Sequence, residues 1–222
     1  MRVVGLVEEF SAEDEWVALP IAFLDTETTG TDARIDRIIE VGIVRGVQGE
    51  VAERRRWLIN PGTPIPAAST EVHGIRDEDV AGAPSFADVL PEIVAALAGA
   101  LPAAYNASFD KGFVLAELER TGVVLSEPPP AVRKEVTWLD PLVFAREFFR
   151  GKGESRALGA VAERLGVTLV NAHRATDDAE AALEVLYALA RDGRMPGTYA
   201  ALIQEQRRLM KLQLEAQRFW RK

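Results

Sequence analysis

The chain has no cysteine at all and only two histidines in 222 residues. The first absence excludes disulfides and any thiolate-held metal, so a metal site here must be built from oxygen and imidazole donors. It also fits a reducing compartment. No long apolar run is present: the longest, Trp16 to Leu24, is too short to span a bilayer. No basic leader precedes it, because residues 8–15 carry Glu8, Glu9, Glu13, Asp14 and Glu15. A soluble, cytoplasmic protein without membrane contact is therefore expected. Basic residues are also in deficit. The net charge of −8 argues against a generally basic, phosphate-binding surface. That deficit is uneven, since residues 201–222 hold six basic residues and two acidic ones. Clustered carboxylates that hold a metal also lower net charge without excluding a phosphate ligand.

What is present is a 48% hydrophobic chain, long enough to bury a full core. Three β-rich segments come first: Trp16 to Leu24, Asp36 to Val44, and Glu50 to Ile59, with a hairpin turn at Val47-Gln48-Gly49. Helices are predicted from Ala67 to Val72 and from Phe86 to Leu97, the second capped by Ser85. A fourth strand covers Leu101 to Asn106, followed by a helix from Phe109 to Arg120 capped by Ser108 and stopped at Gly122. A fifth strand, Glu135 to Leu139, precedes helices at Asp140 to Phe149, Arg156 to Leu165 (with Ser155 as cap), Thr176 to Arg191 and Tyr199 to Trp220. Gly151-Lys152-Gly153 is a break and lacks the remaining spacing of a phosphate-binding loop. A meander followed by alternating strands and helices predicts an α/β fold with a mixed five-stranded sheet flanked by helices. The expected organisation is an N-terminal extension over 1–16, one domain over 17–192 and a helical tail over 193–222.

Three places carry chemistry. Asp25 and Glu27 lie two residues apart at the end of the first strand, so their side chains share a face. Like charges held side by side need a proton or a cation between them; a strand running into the polar turn Thr28-Thr29-Gly30 is the plainer reading. Asp110 falls in the first turn of a helix, where the macrodipole favours a carboxylate, and helix capping alone would explain it. His173 precedes the long helix, and Asp178 begins a stripe continued by Ala181, Ala182, Val185 and Leu189. A carboxylate on an apolar stripe needs a hydrogen bond, a proton or a metal. His73, the other histidine, ends a short helix, where it caps the helix or lines a pocket. Arg54-Arg55-Arg56 contacts a phosphate backbone or protects a sheet edge. Glu40 sits inside an apolar strand and is expected to be buried and hydrogen-bonded.

The ordered set Asp25-x-Glu27, Asn106-x3-Asp110 and His173-x4-Asp178 resembles the three motifs of the DEDDh 3′→5′ exonucleases. That family includes the proofreading (epsilon) subunit of bacterial DNA polymerase III. Ile38-Ile39-Glu40-Val41-Gly42, Glu71-Val72-His73-Gly74-Ile75, Ala83-Pro84-Ser85-Phe86 and the helix ending at Leu165 match in type and order, so the resemblance covers about residues 18–192. Tyr105 departs from it, standing where the family commonly has histidine. The resemblance implies a ribonuclease H-like fold and two Mg²⁺ or Mn²⁺ ions about 4 Å apart. Asp25, Glu27 and Asp178 would hold the metals, Asp25 bridging, and Asp110 would complete the second site. His173 would be the general base, a task suited to an imidazole. Thr28, Gly30, Asn106 and His73 would meet the substrate. The implied reaction is release of nucleoside 5′-monophosphates from 3′ ends of single-stranded DNA. RNA trimming and a catalytically silent nucleic-acid adaptor are the alternatives. The last helix packs back on the domain, self-associates or docks on a DNA polymerase.

Overall fold

The computed structural model describes residues 3–151, 154–170 and 172–220. Lys152 and Gly153 of the expected break, and Asn171 before the His173 motif, lie outside the described residues. Strands β1 (Ile21–Thr28), β2 (Ile38–Val47) and β3 (Glu50–Leu58) form an antiparallel meander. Helices α1 (Ala67–His73), α2 (Asp77–Val80) and α3 (Phe86–Leu97) follow. Strand β4 (Leu101–Ala103) then returns parallel to β1, and the sheet order is β3-β2-β1-β4. Helices α4 (Ala107–Thr121), α5 (Pro141–Phe148), α6 (Leu158–Leu165), α7 (Ala175–Ala190) and α8 (Tyr199–Trp220) complete the chain.

Alternation along β1 sorts its side chains between two cores. Ile21 and Phe23 pack with Val44 and helices α5 to α8, whereas Ala22 and Leu24 pack with Val41, Ile43 and helices α3 and α4. Asp25 and Glu27 continue the first series and Thr26 the second. The face of β2 opposite that first series reads Gly46, Val44, Gly42, Glu40. Its two glycines let α7 lie close to the sheet. A Cβ on Gly42 would fall 2.3 Å from the carbonyl carbon of Ala175 and 2.4 Å from the amide nitrogen of Thr176. Both are backbone atoms at the start of α7.

Among the described residues the sheet has four strands where five are expected. Residues 135–139 make only one bridge, Leu139 to Ala103. Their outer hydrogen-bonding groups are satisfied by other means. Thr137 N–H donates to Gly5 O at 2.8 Å, Asp140 N–H donates to Gln206 Oε1 at 2.9 Å, and Gln206 Nε2 donates to Trp138 O at 2.8 Å. A side-chain amide from α8 thus occupies the place of a neighbouring strand. The first strand also begins later than expected: Trp16–Ala18 is a single 3₁₀ turn, and β1 starts after Pro20. Ser85 does cap α3, accepting from Asp88 N–H. Ser108 does not cap α4, which starts at Ala107 with Asn106 in the left-handed region (φ 69°).

The N-terminal segment and α8 pack on each other and on the same core. Val7 N–H donates to the Tyr199 hydroxyl at 2.9 Å, and Trp16 Nε1 donates to Pro196 O at 2.8 Å. Leu202, Ile203 and Leu209 of α8 are buried, each contributing about 1.5–3 kcal/mol. Helix α8 therefore packs back on the domain. Among the described residues no helix is long and apolar enough to cross a membrane.

Replacing Gly42 by alanine is expected to cost about 1–3 kcal/mol, because the new methyl group drives into backbone that cannot rotate away. Gly46→Ala is expected to cost less, since its nearest obstacle is the Tyr187 hydroxyl, a side-chain end. Urea denaturation midpoints of the two variants measure the difference.

Candidate active site

The site forms where β1 ends. Asp25 faces Gly42 across the β1–β2 ladder, and Glu27 faces Glu40. The bare Gly42 admits the first turn of α7, which brings Asp178 to the same edge. Asp178 Oδ2 accepts the His173 backbone N–H at 2.9 Å. That bond holds His173 in the left-handed region (φ 65°), an unusual conformation for a residue with a Cβ. One ligand atom each from Glu27, His173 and Asp178 lies within 4.8 Å of the other two. Asp110 approaches from the opposite layer on α4, is 2% exposed, and accepts the Thr26 hydroxyl proton at 2.8 Å.

Burial raises all four acids, and neighbouring acidic charges add to it. Burial first, then the charges of Asp110, Asp178, Glu27 and Glu40, hold Asp25 well above the usual carboxylate range. Glu27 is pushed up to about 8 by burial, then by Asp178, Glu40 and Asp110, with Arg174 opposing. Asp110 is pushed up to about 7 by burial, offset by the Thr26 hydrogen bond. Burial also raises Asp178, against its bond to His173. Carboxylates so placed ionise together only beside a cation. An oxygen-rich donor set with one imidazole and no thiolate fits a hard divalent ion.

The remaining predicted residues surround this edge. The Thr28 hydroxyl donates to Gly30 O at 2.6 Å. Gly30 is fixed by crowding, because a Cβ there would lie 2.4 Å from the Asp36 carboxylate. Asn106 is exposed at the start of α4. His73 is buried; its Nδ1 accepts Ile75 N–H at 3.0 Å, and its Nε2 has no hydrogen-bond partner. Burial pushes the His73 pKa down, with the Thr28 backbone opposing and the Arg174 and His173 charges adding to the fall. Tyr105 turns away from the acids, donating its hydroxyl proton to Arg156 O at 2.6 Å. Glu40 is fully buried and paired with Arg56, while Arg54 pairs with Glu180 on α7.

Asp140 is a supporting residue that sequence reasoning passed over. Its buried carboxylate accepts the backbone N–H groups of Asn106 (3.0 Å), Ala107 (3.1 Å) and Leu142 (3.0 Å). It caps α5, as an Asp-Pro pair signals, and also α4, which nothing local signals. Glu117 ties the other end of the site together. It is 1% exposed and binds Arg37 at 2.7 and 3.0 Å and Ile38 N–H at 3.2 Å.

These raised acids set a pH dependence. Their folded pKa values exceed the ordinary values near 4, so the folded state holds more protons than the unfolded one. The associated stability is complete below about pH 4 and is lost as pH rises through about 7 and 8. In EDTA the melting temperature is therefore expected to fall between about pH 5 and pH 8. Millimolar Mn²⁺ should raise it more at the upper end than at the lower. Thermal unfolding followed by intrinsic fluorescence reads both effects.

The model of the RNase T exonuclease family matches residues 22–186 of this chain. The PolC-type DNA polymerase III of Clostridium perfringens is 34% identical over 178 residues, which are 80% of this chain and 11% of that one. The Thermotoga maritima PolC-type polymerase is 33% identical over 183 residues, 82% of this chain and 13% of its own length. The chain thus spans about a tenth of the length of these curated relatives. In fold it is similar to Exonuclease X in complex with 5′-overhanging duplex DNA, with TM-score 0.61, 23% identity, and 82% and 99% of the two chains covered. It is also similar to E. coli Exonuclease I in complex with a dT13 oligonucleotide, with TM-score 0.66, 18% identity, and 78% and 41% covered. A match over residues 22–186 takes in every one of the gathered acids, and the chain belongs to the exonuclease family, among the DEDD-type 3′→5′ exonucleases.

Proposed function

We propose that this domain removes nucleotides one at a time from 3′ ends of single-stranded DNA and releases nucleoside 5′-monophosphates. Asp25, Glu27, Asp110 and Asp178 would hold Mg²⁺ or Mn²⁺, for which their oxygen-rich donor set is suited. The observation that carries this reading is the gathering of Glu27, His173 and Asp178 within 4.8 Å where β1 ends, with Asp25 on the same strand and Asp110 bonded to Thr26 beside them. When bound, divalent ions supply Lewis-acid stabilisation of charge on the phosphate oxygens and the leaving 3′-oxygen.

The chain's own residues supply the rest. His173 is exposed at the mouth of the site, and its backbone is fixed by Asp178. Its imidazole takes a proton from the attacking water as general base. The turn from Thr28 to Gly30, with Asn106, positions the terminal nucleotide. His73 lines the pocket for its base; with Nδ1 accepting the Ile75 N–H, the neutral ring carries its proton on Nε2, which serves as a hydrogen-bond donor. Kinship with PolC-type polymerases supports DNA as substrate and a DNA polymerase as the setting in which the domain edits.

Incubation with Mn²⁺ and matched single-stranded DNA and RNA tests the proposal by product analysis. Wild type is expected to release mononucleotides from DNA. Asp25→Ala is expected to release none, and His173→Ala to lower kcat by about 10²–10⁴. Release of mononucleotides only from RNA would reassign the substrate. No release from either polymer would overturn the enzymatic reading.

A further inference from the structure

Most arginines on this surface are neutralised by acids. Arg34, Arg54, Arg55, Arg150, Arg194 and Arg208 each hold an ion pair. Lys134, Lys211 and Arg218 do not: among the described residues none has an ion-pair partner, and all three are exposed. They gather in one place, although the chain as a whole carries a net charge of −8. Two depressions of about 450 and 280 Å³ share Thr137, Arg207 and Met210 and form one continuous groove along α8. Its walls carry Lys111, Lys134, Arg207, Lys211 and Arg218. The acids facing it are Glu135, Glu215 and the buried Asp140, whose carboxylate is occupied by backbone N–H groups.

The groove reaches the start of α4. Its inner end is lined by Ala107 and Ser108, the first residues of α4, and Asp110 lies in that same first turn. Its outer wall is α8, beyond the residues 22–186 that the family match covers. Lys111 and Arg207 are partly committed to structure. Lys111 Nζ donates to Lys134 O at 3.0 Å and Val136 O at 2.6 Å, and Arg207 donates to Val4 O at 3.2 Å. That leaves Lys134, Lys211 and Arg218 as cations free for a ligand.

We propose that this groove binds the sugar–phosphate backbone of the single strand upstream of the nucleotide being removed. The inference rests on the exonuclease reading for its substrate. A row of unpaired cations with little hydrogen-bonding pattern suits phosphates of any sequence, as a processing enzyme requires. It also makes α8 part of the substrate site as well as of the core.

The test is a triple variant, Lys134→Glu with Lys211→Glu and Arg218→Glu, compared with wild type on two substrates. One is a DNA strand of about 20 nucleotides, long enough to reach the groove. The other is the p-nitrophenyl ester of thymidine 5′-monophosphate, which fills only the terminal position. Turnover of the ester within about twofold shows an intact active site. On the strand, kcat/KM is expected to fall at least about tenfold at low salt, through KM, with the salt slope reduced by about 2 for three lost phosphate contacts. Glu215→Lys is expected to shift the strand KM the opposite way. Equal losses on both substrates, or an unchanged strand KM, would overturn the groove and leave its cations to an acidic protein surface. Fluorescence anisotropy of a labelled strand in Ca²⁺ reads the groove even if wild type hydrolyses neither substrate, an outcome that would sink the exonuclease reading separately. Unchanged strand affinity in the variant would then reject the groove.

Discussion

Four carboxylates are held together where a strand ends, and their repulsion is the constraint around which the rest is built. Burial raises the cost of every charge, and neighbouring acids raise Asp25 and Glu27 further. A protein gains nothing in stability from such an arrangement. It persists because the surrounding packing forces it, and on the proposed function divalent cations would relieve it. Function and instability thus have the same source, as is common where acids are poised for chemistry.

The forcing comes from three supports in different parts of the chain. Gly42 removes the side chain that would hold α7 off the sheet, and so sets the depth of Asp178. Asp140 gathers the first N–H groups of α4 and so sets Asp110. Gln206, 1% exposed on α8, bonds the backbone on both sides of Leu139 and so fixes Asp140. The C-terminal helix is therefore linked to the edge that carries the acids by a short series of hydrogen bonds. Buried amides of this kind are costly to leave unpaired, which makes the series rigid.

Much of this was legible in the sequence. The β-branched meander, the apolar stripe of α3 and the acid at the head of the α7 stripe follow from local periodicity. The ordered motifs placed the acids on elements that do meet. What was not legible depends on distant partners. Residues 135–139 have the composition of a strand, yet Gln206 and Gly5 take the hydrogen bonds a neighbouring strand would make. Ser108 looked like the cap of α4, but Asp140, 34 positions beyond Asn106, holds that terminus. Gly42 read as part of a strand pattern, and only the nearness of Ala175 shows why no side chain fits there.

On the proposed function this edge is a divalent-cation site organised on Asp25. Anomalous scattering from crystals soaked in Mn²⁺ tests it most directly. A manganese peak is expected at coordination distance, about 2.1 Å, from the Asp25 carboxylate, with Glu27 or Asp178 as a second ligand. Manganese bound only elsewhere, or an empty edge at millimolar Mn²⁺, would contradict it.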